Sequence, residues 1–145
     1  MGGTIEGRPA GSFGDIATTS FFPAKPLGCY GDGGAVFTNN DNYAELIMSL
    51  REHGKGNDKY DNVRIGMNSR LDTIQAAILL EKLLEFPDEL ERRNRSADYY
   101  SEKLGHKYLV PTTPAGYTSS WAQYTLRSEF RDRAMEVLQE AGIPA

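Results

Sequence analysis

Two short apolar runs near the start of the chain predict a pair of β-strands. The first, DIATTSFF at residues 15–22, combines β-branched and aromatic residues and stops at Pro23. The second, AVFTN at residues 35–39, follows the segment GCYGDGG, in which four glycines surround Asp32. Because glycine permits the backbone conformations that tight turns need, we expect a turn or hairpin tip between the two strands.

Apolar residues at helical spacing predict a first helix after these strands. Asp41 is its expected N-cap, and the helix should end at Gly54. The segment GKGNDKYDN, at residues 54–62, is polar and interrupted by glycine, so we expect it to form a mobile loop.

The longest apolar pattern is LDTIQAAILLEKLLEF, at residues 71–86. Residues 69–72 have the character of a capping box at its start, and Pro87 should end the helix because proline lacks a backbone N–H. Apolar residues fall on nearly every side around residues 76–80, which predicts burial in a large core or at a subunit interface. A separate, charged helix is expected over about residues 88–104.

The remainder of the chain mixes extended and helical patterns. KYLVP at residues 107–111 predicts an extended segment, WAQYTLR at residues 121–127 a strand, and RDRAMEVLQEAG at residues 131–142 a final helix. The chain as a whole therefore predicts a fold of mixed α and β structure.

Composition narrows the class of protein. The 145 residues are 39% hydrophobic and 25% charged, which is typical of a globular protein. A net charge of −4 argues against nucleic acid as a partner. No apolar run reaches the length of a membrane span, and the first residues lack the apolar region of a signal peptide. The single cysteine, Cys29, cannot form an internal disulfide, which fits a reducing compartment. We expect a cytoplasmic protein that does not bind membranes.

Lys25 is the main candidate for chemistry, because it lies between Pro23 and Pro26 just after the first predicted strand. A deprotonated lysine amine is a nucleophile, and one held in a fixed position suits a Schiff base with a carbonyl cofactor. Spacing alone leaves open a solvated surface lysine. No metal is expected, since His53 and His106 lack partners at ligand spacing. The glycines lack the spacing of a nucleotide phosphate loop.

The stretch around Lys25 contains, in order, Gly14-Asp15, Ser20-Phe21, Pro23, Lys25 and Gly33-Gly34-Ala35. This arrangement resembles the active-site segment of the DegT/StrS-type sugar aminotransferases, which are pyridoxal-phosphate enzymes of fold type I. The similarity continues through SLREHG, RIGMNSRLDTIQAAILLEKL, AQYTLR and LQEAGIP, and so covers nearly the whole chain. The resemblance implies part of an α/β fold type I transferase.

The resemblance gives four residues a role. Lys25 would form the Schiff base with pyridoxal 5′-phosphate and then move a proton between the substrate carbon and the cofactor. Some relatives are dehydratases with histidine at this position, so a lysine implies transamination. Ser20 would bind the cofactor phosphate, and Asn68 would bond the cofactor phosphate of the neighbouring subunit, which implies a homodimer with shared active sites. Arg70 would bind a carboxylate of glutamate or of the sugar, with a surface ion pair as the alternative.

The resemblance also implies a reaction, in which an amino group passes from glutamate to a keto group of a nucleotide-linked sugar for surface-polysaccharide or glycan biosynthesis. FFPAKPLGCYGDGG is most similar to members that act on 3-keto UDP-linked N-acetylated hexuronic acids. The chain resembles the central part of such an enzyme, with residues 1–87 in the cofactor-binding large domain and residues 88–145 at the start of the small domain. The alternative is a catalytically incompetent fragment that acts only as an oligomerisation or structural module.

Overall fold

A computed structural model describes residues 1–58 and 60–145, which form five short strands and three helices. The strands are β1 (Thr4–Ile5), β2 (Arg8–Pro9), β3 (Ala17–Ser20), β4 (Gly34–Phe37) and β5 (Tyr117–Thr118). The helices are α1 (Asp41–Arg51), α2 (Thr73–Leu104) and α3 (Arg131–Glu140). The loop predicted at residues 54–62 includes Lys59, which lies outside the described residues.

The two predicted strands around the glycine-rich turn are confirmed. Strands β3 and β4 pair antiparallel, with Ala17 opposite Phe37 and Ser20 opposite Gly34. The backbone N–H of Phe21 donates to the carbonyl of Gly33 at 2.7 Å and extends the pairing by one step. Residues 21–33, which we call the lysine loop, therefore leave and rejoin the strand pair at the same point.

A small hydrophobic core joins the lysine loop to α2. Its buried members come from both elements and are Phe21, Leu27, Cys29, Leu79 and Phe86. Cys29 is fully enclosed, with 0% exposure, and its Sγ lies 3.1 Å from the carbonyl oxygen of Phe21 and 3.0 Å from that of Gly31. Because the two α2 members are separated by about two helical turns, one face of this helix supports the loop.

Helix α2 is continuous from Thr73 to Leu104, so the prediction that Pro87 separates two helices is wrong. Proline removes one hydrogen bond from a helix interior, a cost that normally favours a break. Here Phe86 is buried in the core and Leu90 packs against it, so apolar contacts hold the helix on both sides of the proline. The division of the chain into residues 1–87 and 88–145 stays a prediction.

The first helix begins with a different cap from the one predicted. Asn40 caps α1, because its Oδ1 accepts from the backbone N–H groups of Asn42 at 3.0 Å and Tyr43 at 3.3 Å. Asp41 is instead the first helical residue, where its negative charge complements the positive end of the helix dipole. The helix ends at Arg51, earlier than predicted.

The capping box predicted at residues 69–72 does not form. Asp72 precedes α2, but its side chain makes no capping hydrogen bond in the described structure. The backbone of Ser69 is used elsewhere, since its N–H donates to the carbonyl of Arg51 at 2.9 Å. This segment is therefore tied to the end of α1 and does not wrap around the start of α2.

A single copy of the chain does not bury helix α2 on most sides, so the predicted burial in a large core is not found and the predicted subunit interface stays a prediction. The buried residues of the helix are Leu79, Phe86 and Ala97. Ile74, Leu80 and Leu84 are 73%, 66% and 75% exposed. A single copy of the chain thus leaves much of the apolar surface of this helix in contact with solvent. Within residues 1–58 and 60–145, no helix is both long and apolar enough to cross a membrane.

The last predicted helix is confirmed as α3. The prediction of a strand at residues 121–127 is wrong. Among the described residues of that segment, Arg127 alone pairs with another backbone, that of Leu109, through hydrogen bonds of 3.1 and 3.3 Å. Trp121 has a φ of +47°, which is incompatible with a strand, and its Nε1 donates to Asn94 Oδ1 at 2.9 Å. Side-chain packing on α2 therefore replaces the expected strand pairing.

An unpredicted small sheet joins the first residues to a late part of the chain. It has the strand order β2-β1-β5. Thr4 and Thr118 face each other across β1 and β5, with their hydroxyl oxygens 2.8 Å apart. Two-residue strands carry too little pattern to be recognised from sequence.

Replacing Leu79 should destabilise the chain far more than replacing its neighbour. Leu79→Ala opens a cavity under the lysine loop and should lower the free energy of unfolding by about 3 kcal/mol. Leu80→Ala removes an exposed side chain and should cost less than about 1 kcal/mol. Urea titration followed by circular dichroism, at a dilution where the chain is monomeric, measures both. Equal losses would contradict the assignment of Leu79 to the core.

Candidate active site

Lys25 occupies the last position of a tight turn in the lysine loop. Its backbone N–H donates to the carbonyl of Phe22 at 2.9 Å, which puts Pro23 at the second position of the turn, where its fixed φ is favourable. Pro26 follows and is buried, whereas the side chain of Lys25 is exposed. The backbone is thus fixed on both sides of the lysine while the amine stays accessible.

Gly28 lets the chain fold back against this turn. A Cβ at Gly28 would lie 2.7 Å from the carbonyl oxygen of Phe22 and 2.7 Å from that of Pro23. Both oxygens belong to the backbone of the turn and have no rotamer by which to move away. The close approach therefore requires glycine at this position.

Two polar side chains of α2 bond to the main chain of the lysine loop. Gln75 Oε1 accepts from the N–H of Tyr30 at 2.8 Å, and Lys82 Nζ donates to the carbonyl of Gly28 at 2.6 Å. Sequence reasoning missed both residues. The signal that could have found them is their position on the buried face of α2, because polar groups on such a face usually have hydrogen-bond partners.

Ser20 ends β3, five residues before Lys25, and is exposed. Its Oγ accepts from the backbone N–H of Phe22 at 3.1 Å. None of the hydrogen bonds within the described ranges uses its O–H as a donor, so that hydrogen remains available to an acceptor. An exposed hydroxyl donor five residues before an exposed lysine suits a phosphate-bearing carbonyl compound.

The structure brings Asn68 and Arg70 together. Arg70 Nε donates to Asn68 Oδ1 at 3.1 Å, and both residues are exposed. This bond uses the carbonyl oxygen of the amide and the Nε of the guanidinium, so the NH₂ group of Asn68 and the terminal N–H groups of Arg70 are not used in it. The pair thus offers several donors and one positive charge, as an anion requires.

The two predicted pairs of site residues are not bonded to each other. In the part of the chain that the structure describes, no hydrogen bond or ion pair joins Ser20 or Lys25 to Asn68 or Arg70. The segment that carries Arg70 nevertheless reaches the core, since Leu71 packs against it. Across the same described residues, no group of three or more histidine, cysteine, aspartate or glutamate side chains could hold a metal ion.

Comparison with known proteins identifies the family. The sequence profile of the DegT/DnrJ/EryC1/StrS aminotransferase family matches residues 1–145, so the chain belongs to this family. The resemblance found in the sequence is therefore confirmed.

Individual relatives agree with this assignment. The chain is 43% identical over 145 residues to the UDP-2-acetamido-2-deoxy-3-oxo-D-glucuronate aminotransferase of Pseudomonas aeruginosa, with 99% of the chain and 40% of the relative covered. It superposes on a crystal structure of a DegT/DnrJ/EryC1/StrS aminotransferase from Brucella abortus with a TM-score of 0.96 and 56% identity, over 99% of this chain and 38% of that one. The structure of S. venezuelae DesV, in complex with a ketimine intermediate, gives a TM-score of 0.91 at 36% identity, over 98% and 38% of the two chains.

These comparisons settle the fold class and the cofactor of the family. The predicted α/β fold of an aminotransferase is confirmed by both superpositions. A ketimine is a species of pyridoxal-phosphate transamination, and pyridoxal 5′-phosphate is the cofactor of this family, as predicted. The chain spans about 40% of the length of the curated relative and 38% of the two solved chains.

Adding one methyl group at Gly28 should disrupt the turn that carries Lys25. Gly28→Ala would place its Cβ against two backbone oxygens and should lower the free energy of unfolding by roughly 2 kcal/mol. Gly14→Ala is the matched control, because its Cβ would meet its nearest neighbour, the carbonyl oxygen of Ile16, at an ordinary 3.6 Å. Thermal unfolding compares the two variants. A Gly28→Ala chain as stable as the control would contradict the close approach.

Proposed function

We propose that this chain provides the Schiff-base lysine and part of the cofactor site of a pyridoxal-phosphate-dependent sugar aminotransferase. The observation that carries the proposal is the turn at Lys25, in which Pro23 and Gly28 fix the backbone while the amine remains exposed. Membership of an aminotransferase family supports the same reading.

Lys25 in the lysine loop and Ser20 at the end of β3 fit this cofactor. When bound, pyridoxal 5′-phosphate supplies a reactive carbonyl carbon and a ring that withdraws electrons. The amine of Lys25 would hold the cofactor through that carbon, and the hydroxyl of Ser20, already fixed by the N–H of Phe22, would donate to the phosphate. When it is not bonded to the cofactor, the Lys25 amine would hold and move a proton at the substrate carbon.

Asn68 and Arg70 contribute to anion binding in this proposal. Asn68 donates its amide NH₂ to the cofactor phosphate of a second subunit, so that two copies of the chain complete each other's sites. Arg70 orients the Asn68 amide through its Nε and offers its terminal N–H groups to a carboxylate of glutamate or of the sugar. The mutual hydrogen bond of the two residues and their exposure support this assignment.

The proposed reaction transfers an amino group from glutamate to a keto group of a nucleotide-linked sugar, in surface-polysaccharide or glycan biosynthesis. The proposed substrate is a 3-keto UDP-linked N-acetylated hexuronic acid. The name and 43% identity of the Pseudomonas aeruginosa relative support this choice. Residues 1–87 then belong to the cofactor-binding domain, and residues 88–145 begin the small domain.

A second candidate is a structural module without catalytic activity. The observation that favours it is the exposed apolar surface of α2 around Ile74, Leu80 and Leu84, which suits an oligomer interface. The two candidates differ in one property, namely whether Lys25 reacts with the cofactor.

The purified chain should form a covalent adduct with pyridoxal 5′-phosphate at Lys25. Borohydride reduction fixes the adduct, and peptide mapping by mass spectrometry locates it. Lys25→Ala should abolish the protein-dependent absorbance band, whereas Lys107→Ala, which removes an exposed lysine outside the site, should leave it unchanged. No adduct at Lys25 in the unaltered chain would favour the structural module.

Mixing two defective variants should restore tight cofactor binding if sites are shared between subunits. Lys25→Ala lacks the reactive amine, and Asn68→Ala lacks the phosphate donor, so each alone is defective at every site. In an equimolar mixture, half of the dimers are mixed and one site in each is intact, so about a quarter of all sites should recover. The adduct yield at a low cofactor concentration measures this. Yields equal to the average of the two variants would contradict sharing.

A further inference from the structure

Helix α2 bonds to the lysine loop at two backbone positions that flank Cys29. On one side Lys82 donates to the carbonyl of Gly28 at 2.6 Å, and on the other Gln75 accepts from the N–H of Tyr30 at 2.8 Å. The two α2 residues are seven positions apart, close to two full helical turns, so they project from the same face. The main chain on either side of the most deeply buried residue is therefore held by one helix.

These bonds reach Lys25 through consecutive backbone contacts. The backbone of Gly28 lies so close to the turn that a Cβ there would be 2.7 Å from the carbonyl oxygens of Phe22 and Pro23. The same Phe22 oxygen accepts from the N–H of Lys25 at 2.9 Å. A displacement of Gly28 would consequently move the turn from which the Lys25 side chain extends.

We propose that Lys82 and Gln75 are positioning residues that hold Lys25 for its reaction with the cofactor, an inference that rests on the proposed function. Lys82 makes the stronger contact, because a bond from an ammonium group is charge-assisted. Its Nζ also lies 5.3 Å from the ring centroid of Tyr30, which attracts a cation and restricts the lysine side chain further. Neither residue has to touch the cofactor to act in this way.

Hydrogen exchange of the cofactor-free chain tests whether the two contacts hold the loop. Lys82→Met keeps the side-chain stem but removes the donor, and Gln75→Leu removes the acceptor. Each should raise amide exchange in residues 21–33 by about tenfold and leave α1 unchanged. Lys82→Arg and Gln75→Glu keep the donor and the acceptor and should restore slow exchange. Lys103→Met makes the same chemical change in the last turn of α2 and is the matched control.

The rate of adduct formation at Lys25 tests the positioning role. At a temperature where circular dichroism shows all variants folded, Lys82→Met and Gln75→Leu should react about tenfold more slowly with pyridoxal 5′-phosphate, and Lys82→Arg and Gln75→Glu should recover most of the rate. A purely structural role would lower the unfolding temperature without changing this rate in the folded chain.

The outcomes separate this inference from the proposed function. An unaltered chain that forms no adduct at Lys25 would overturn the proposed function and the positioning role together. An unaltered chain that reacts at Lys25, with variants that react equally fast, would overturn the positioning role alone. Exchange that rises equally in α1 and in the lysine loop would also overturn it, because the contacts would then support the whole fold and not the loop.

Discussion

The packing of the lysine loop on helix α2 is the constraint on which the candidate site depends. The loop is rich in glycine, and ordering glycine costs more backbone entropy than ordering any other residue. Burial of Phe21, Leu27 and Cys29 against α2 offsets that cost, and the buried Sγ of Cys29 lies within hydrogen-bond distance of two loop carbonyls. Lys25 is thus held in place by the packing of its apolar neighbours in the loop.

Glycine is required to different degrees at different positions of the loop. A Cβ at Gly28 would meet two backbone oxygens of the turn, which cannot move away, whereas one at Gly33 would meet the side-chain atoms Leu71 Cδ1 at 2.9 Å and Cys29 Sγ at 3.1 Å. Gly31 meets the side chain of Gln75 at 3.2 Å, which can shift by a few tenths of an ångström. The requirement for glycine is therefore strictest at Gly28, where the opposing atoms belong to the backbone of the turn.

Structural features that depend on residues close in sequence were predicted correctly. Features that depend on packing between residues distant in sequence were not. The two strands and the glycine-rich turn are local patterns, and the motifs around and beyond Lys25 were sufficient to identify the family, whereas the reactivity of Lys25 stays a prediction. Pro87 predicts a helix end because proline removes a hydrogen bond from the helix backbone. Burial of the neighbouring Phe86 outweighs that cost. Gln75 and Lys82 act on residues 45 and 54 positions away, so no spacing rule connects them to the loop.

Lys25 and Lys82 are the same residue type in different environments beside one turn, and the roles proposed for them follow from that difference. Both serve the same turn, but Lys82 is half-buried and its Nζ is bonded to the carbonyl of Gly28, so its amine is committed as a hydrogen-bond donor. In Lys25 the hydrogen bond is made by the backbone N–H, so the position of the backbone is fixed. The side-chain amine does not take part in that bond and is exposed. A nucleophile needs an accessible amine on a fixed backbone, whereas a positioning residue needs a bonded one. The turn between Pro23 and Pro26 fixes the backbone of Lys25 and leaves its amine accessible. The face of α2 that packs on the loop gives Lys82 its hydrogen-bond partner.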